Sequence, residues 1–185
     1  MISRIISVSV VLGTIYLNSL WAEELKVDLE QSTIRVEVKA TGDDFVASLT
    51  RFDARIEVQD AQAVPRSATV TWDFKDLKTG KKSRDKEMLQ WLEHTRFPTA
   101  QFTLKNCQQH EGKWTVTGEL KMHGVSKSLS FPLEIKRDGS RTVYKADLTL
   151  DHRDFGLERI VKFLVLKVDP LLAIHFELSA VPQRS

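Results

Sequence analysis

The chain has 185 residues, a formal net charge of +2 and a sequence pI near 8.6, so it reads as one domain, long enough to bury a core or enclose a cavity. Hydrophobic residues make up 42% and charged residues 28%, which excludes a largely disordered chain. The mild basicity excludes the concentrated patch of a nucleic-acid binder: Lys81, Lys82 and Arg84 cluster, but Asp76, Asp85 and Glu87 surround them, as in a solvated turn leading into a helix.

The first 22 residues read as a secretory signal peptide. Arg4 supplies a positive start, Ile5 to Leu20 form an apolar run, and the chain turns acidic at Glu23 and Glu24. Cleavage is expected near Ala22, leaving one domain over 23–185. The competing reading is an uncleaved anchor, but the run falls short of the ~20 residues a spanning helix needs. No stable membrane span is therefore expected after cleavage, and the location is periplasmic or secreted.

Beyond Ala22 the pattern has period two, the signature of half-buried strands. Ile34, Val36 and Val38 alternate with polar neighbours, then Phe45, Ala47 and Leu49. The phase changes at Thr50–Arg51, and Phe52, Ala54, Ile56 and Val58 continue on the other parity, which predicts a bulge or bend. Ala68, Val70, Trp72 and Phe74 follow. From Ser83 to about His94 the period becomes helical: Met88, Leu89, Trp91 and Leu92 share a face, Ser83 is the expected N-cap, and Asp85 and Glu87 occupy the first turn. Phe97–Pro98 ends the helix.

Alternation returns at Ala100, Phe102 and Leu104, at Trp114 to Met122, at Leu129 to Ile135, at Tyr144 to Leu150 and at Leu172 to Ala180. Gly42–Asp43–Asp44, Glu111–Gly112, Asp138–Gly139 and Asp169–Pro170 punctuate the runs. Residues 155–168 fit either a doubly buried strand or a short helix. His123–Gly124 reads as a strand end and tight turn rather than a ligand or catalytic histidine. Cys107 is the sole cysteine; it reads as a small apolar core residue, with an intermolecular bridge as the alternative. The sum is eight or more antiparallel strands and one short helix: an all-β barrel or sandwich.

Three segments carry a resemblance. Leu77-Lys78-Thr79-Gly80 with Arg84-Asp85, Leu89 and Phe97-Pro98-Thr99-Ala100 is one. Val116 to Lys127, containing Met122-His123-Gly124-Val125, is the second, and Arg153-Asp154-Phe155-Gly156-Leu157 the third. In this order they resemble the YceI-like family, over most of residues 24–181. The first strand departs from the family's frequent His-Ser, carrying Gln31-Ser32.

The resemblance implies an extended, lipocalin-like, eight-stranded antiparallel barrel that holds a polyisoprenoid or fatty-acid derivative for carriage or storage. No enzymatic activity, cofactor or metal is implied; a homodimer is possible. Inward parity alone leaves open whether side chains fill the barrel or line a tunnel; the resemblance favours the tunnel. The expected lining is Phe45, Leu49, Phe52, Trp72, Phe74, Met88, Phe102, Trp114, Met122, Phe131 and Phe155, with Arg84 and Asp85 able to meet a head group at the mouth. The alternatives are an enzyme acting on an isoprenoid lipid, with Asp85, His123 and Asp154 as candidates, and a module that docks on an envelope protein. His152-Arg153-Asp154-Phe155-Gly156 contains the letters of two kinase motifs, but one Asp cannot serve as both base and magnesium ligand.

Overall fold

The computed structural model describes residues 23–58, 62–158, 161–162 and 166–183; the expected signal peptide falls outside them. The strands are β1 (Glu23–Val38), β2 (Phe45–Leu49), β3 (Asp53–Val58), β4 (Pro65–Asp73), β5 (Leu77–Lys78), β6 (Thr99–His110), β7 (Lys113–Met122), β8 (Val125–Asp138), β9 (Arg141–Asp151), β10 (Val161–Lys162), β11 (Leu166–Lys167) and β12 (Leu171–Pro182). Helix α1 spans Lys82–Trp91.

The main sheet runs β12-β9-β8-β7-β6-β4-β3-β1, and β12 also pairs with β1, which closes it. Closure removes exposed sheet edges, and eight strands leave room for side chains or one small ligand. All main-sheet pairs are antiparallel. β2 and β3 act as one bent strand: β3 pairs with the start of β1 and β2 with its end. The bend is where the parity changes, and there the Thr50 N–H leaves the ladder to donate to the Asp76 carbonyl (2.9 Å).

Two further irregularities aim side chains. The β6–β7 register slips between Leu104 and Asn106. One extra residue on β6 flips its parity, so half-buried Cys107 packs against the core. The β1–β12 register slips between Asp28 and Thr33. Polar groups bolt that bulge: Ser32 Oγ accepts from the Ser179 N–H (3.0 Å) and donates to the Asp28 carbonyl (2.6 Å). Arg141 donates to Gln31 Oε1 (2.8 Å) and Ser179 Oγ (2.6 Å). The Gln31-Ser32 pair thus has a structural task.

Helix α1 differs from expectation at both ends. Its N-cap is Lys81, with no side-chain cap bond, and Ser83 lies inside the first turn. The acceptor at this end is Asp85, whose Oδ1 takes the Thr79 N–H (2.8 Å) and hydroxyl (2.6 Å), so the preceding turn is tied to the helix from within. The helix stops at Trp91, and a turn through Glu93, with φ 48°, leads to Phe97. Met88, Leu89, Trp91 and buried Leu92 press it onto one end of the barrel. Residues 152–155 form a 3-10 turn, closed by Gly156 at φ 72°. In the ambiguous stretch that follows, β10 and β11 pair as a short ribbon. His123 (φ 51°) and Gly124 (φ 76°) make the tight β7–β8 turn, two left-handed residues in succession, as hairpin turns favour.

Candidate functional site

The barrel interior is not filled. A chamber of about 440 Å³ lies beneath α1, and a second of about 140 Å³ lies further down the barrel. Ile34, Trp72, Leu120 and Ile174 border both. The first volume is within the usual range of small-molecule sites.

The larger chamber is walled by apolar side chains of β1, β2, β4, β7, β9, β12 and α1. Its polar side chains are Thr41, Asp43, Arg84, Glu87 and His152. Arg84 Nη2 pairs with Asp43 Oδ2 at 3.1 Å, and the guanidinium stands 4.1 Å from the Phe45 ring centroid. Lys81 Nζ reaches the same carboxylate oxygen at 3.3 Å. The hydrogen bond and charge of Lys81, with help from Arg84, hold the Asp43 carboxyl below its usual range. His152 is fully buried; its Nδ1 donates to the Leu157 carbonyl (3.1 Å), and its ring meets Trp91 edge-on at 5.0 Å. Trp91 Nε1 in turn donates to the Glu158 carbonyl (2.9 Å).

The smaller chamber is lined by hydrocarbon and aromatic carbon. Its one hydroxyl, on Tyr144, donates to the Ala63 carbonyl (2.7 Å). Phe102, Phe131 and Phe176 form a chain of rings, with centroids 5.7 and 5.9 Å apart. An apolar site with one polar rim suits an amphiphile: desolvation gives about 0.8 kcal/mol per buried methylene, and the rim fixes which end stays wet.

Most of the side chains expected at the lining converge here. Phe45, Leu49, Trp72, Phe74, Met88 and Met122 line the larger chamber, and Trp72, Phe102 and Phe131 the smaller. Three do not. Phe52, at the β2–β3 bend, is buried in the core. Trp114 lies at the far end of β7 and packs on that core from outside the chambers. Phe155 is buried in the second core cluster, beneath the 3-10 turn.

Arg84 is at the rim and Asp85 is not: its carboxylate faces Thr79. Burial opposes ionisation of Asp85, but the Thr79 hydrogen bonds, with Lys78 and Arg84 nearby, outweigh it and lower the pKa. Asp43, Glu87 and His152 were missed. The first two sit on a loop and a helix face where alternation gives no signal. His152 carries one: it directly follows the inward-parity run that ends at Leu150.

A model of the YceI-like domain matches residues 25–180. UPF0312 proteins of Pseudomonas putida are 28% identical over 163 residues, covering 80% of this chain and 84% of theirs. Among solved structures, Burkholderia cenocepacia BcnA superposes with a TM-score of 0.75 at 21% identity, over 84% of this chain and all of that one. A polyisoprenoid-binding domain from Saccharophagus degradans, implicated in plant cell wall breakdown, gives 0.67 at 15% identity, over 88% of this chain and all of that one. A Campylobacter jejuni YceI protein gives 0.64 at 17%, over 75% of this chain and 85% of that one. The chain belongs to the YceI-like family, and its fold is that family's closed eight-stranded barrel.

Proposed function

We propose that this YceI-like protein is an exported binding protein that holds a long apolar ligand, a polyisoprenoid or fatty-acid derivative, inside its barrel and performs no chemistry on it. The observation that carries the reading is the one-sided polarity of the cavity: two adjoining apolar chambers that share four lining residues, with charged groups gathered beneath α1. The polyisoprenoid-binding name of the Saccharophagus degradans relative supports the ligand class. The pattern of the first 22 residues supports export to the periplasm or beyond. In this reading the tail lies against Phe45, Leu49, Trp72, Phe74, Met88 and Met122, and Arg84 meets the head group.

The geometry speaks against the enzyme reading. Asp85, His123 and Asp154 do not line either chamber. His123 serves packing: its Nδ1 donates to the Phe155 carbonyl (3.0 Å), its Nε2 faces Glu93 Oε1 (3.4 Å), and Phe97 lies 4.3 Å from its ring.

The test is displacement of a fluorescent fatty acid. The protein should take up one probe per chain, and a prenyl alcohol should displace it. Failure to bind probe or alcohol after delipidation would overturn the reading.

A further inference from the structure

Helix α1 has two faces of different chemistry. Arg84, Met88 and Trp91 line the larger chamber, and the opposite side, half a turn away, presents Lys82, Lys86 and Glu93. With Lys78 on β5 and Arg96 in the turn after the helix, these border a surface depression. Four cations meet two carboxylates there, Asp85 and Glu93, a surplus of two on a chain whose whole formal charge is +2.

Both carboxylates are engaged elsewhere. Asp85 Oδ1 takes the Thr79 N–H and hydroxyl (2.8 and 2.6 Å). Glu93 Oε1 faces His123 Nε2 at 3.4 Å, and its Oε2 lies 3.8 Å from Arg96 Nη1. Glu87, next in sequence to Lys86, lines the larger chamber instead. Lys81 is neutralised by Asp43 at 3.3 Å. Lys78, Lys82 and Lys86 are exposed, and among the described residues none of them forms an ion pair. The acids that balance this stretch in sequence are thus drawn away from the face the three lysines share.

We propose that this face of α1 docks the barrel on a bilayer containing anionic phospholipids, and that the apolar ligand is exchanged there. The docking rests on the charge of the helix face, the exchange on the binding reading above. A long tail is confined to apolar surroundings: each methylene favours them over water by roughly fourfold, so ten favour them by about a millionfold, and diffusion through water is a slow route. A chamber walled by α1 is filled most directly where α1 itself meets the bilayer. Charge supplies the contact, since a lysine near an anionic leaflet contributes roughly fivefold to binding and three contribute on the order of a hundredfold.

The experiment uses the protein from residue 23 on, which carries every described strand and helix. Two vesicles are compared, one of phosphatidylcholine and one of equal parts phosphatidylcholine and phosphatidylglycerol. In flotation the protein should bind the second at least about tenfold more than the first at ~0.1 M salt, and lose the preference near ~1 M, where the screening length falls from about 10 Å to about 3 Å. Lys82→Gln/Lys86→Gln should weaken the binding by at least about tenfold. The matched pair Lys113→Gln/Lys136→Gln removes the same charge from the end of the β7–β8 hairpin remote from His123, and should change binding less than about twofold, lying beyond the screening length. Exchange is read as the rate at which a bound fluorescent fatty acid passes to the anionic vesicles. That rate should rise with vesicle concentration and fall in Lys82→Gln/Lys86→Gln. Uptake of the probe in solution should be unchanged in the same variant, because neither lysine lines a chamber.

Equal partition to the two vesicles would overturn the proposal, and is the result expected if an acidic protein were the true occupant of the face. So would a preference that survives ~1 M salt, or an equal loss in Lys113→Gln/Lys136→Gln. A transfer rate independent of vesicle concentration would overturn the exchange step. The binding reading would stand in all these cases; it falls only if the probe is not taken up, and the partition still decides the docking then.

Discussion

Arg84 on helix α1 pairs with Asp43 in the loop between β1 and β2, Nη2 to Oδ2 at 3.1 Å, and the two side chains sit together at the polar end of the larger chamber. Arg84 is mostly covered, with 20% of its side chain exposed, whereas Asp43 is 66% exposed. A bound anionic head can therefore take the place of Asp43 on Arg84 at little cost, because an exposed pair is worth little. Asp43→Asn should tighten a fatty carboxylate roughly two- to fivefold and leave a prenyl alcohol of the same length unchanged. Arg84→Gln should weaken the carboxylate and spare the alcohol. The readout is paired competition titrations at low and moderate salt.

Asp85 should separate from Arg84 in the same assay. Its carboxylate accepts two bonds from Thr79 and does not line the chamber. Asp85→Ala should cost about 1–3 kcal/mol of stability by orphaning those donors, seen as a lower Tm. Affinity for the fatty carboxylate should change less than about twofold in the variant that remains folded.

The acid limb of the stability curve should depend on Asp73. Burial opposes its ionisation, but hydrogen bonds from the Lys75 N–H and side chain and from His94, with the Lys75 charge, bring its pKa down from 3.8 to about 2. A lowered folded-state pKa contributes stability that is complete above the unfolded value and lost as pH falls through the folded one. The contribution, at most about 2 kcal/mol, should be present above pH ~4 and vanish between pH ~4 and ~2. Asp73→Asn should flatten that part of a denaturation-against-pH series.

Gly118 should tolerate nothing larger. A Cβ there would meet Phe102 Cζ at 2.2 Å and the Thr103 carbonyl oxygen at 2.8 Å. Gly118→Ala should destabilise by about 1–3 kcal/mol, as overpacking does. It should also displace the Phe102 ring, which lines the smaller chamber, and weaken binding of the fluorescent fatty acid. Thermal unfolding and titration of the fluorescent fatty acid read the two effects separately.

Much of this architecture was legible because a strand has a simple period. Trp72, Phe102, Met122 and Phe131 share inward parity with their strand neighbours, and the closed sheet brings all four to the chambers. Parity fails where the chain leaves the ladder. Phe52 sits at the bend between β2 and β3, and Phe155 in a 3-10 turn, so both are buried in cores and neither borders a chamber. Trp114 has the right phase but lies too far along β7. The rim depends on loop and helix placement: Asp43 meets Arg84 only because the β1–β2 loop folds against α1, a contact between residues 41 positions apart that no local pattern announces. The helix start was misread for a similar reason, since Thr79 and Asp85 tie the turn from within and Ser83 is left without a capping task.

The most direct test of a ligand-holding barrel is native mass spectrometry of the protein purified from its own cells, followed by solvent extraction of whatever it carries. The barrel should fly with one apolar molecule per chain, and the extract should contain a single chemical class, a prenyl or fatty-acid derivative. A clean apoprotein that also takes up no prenyl alcohol or fatty acid would contradict it.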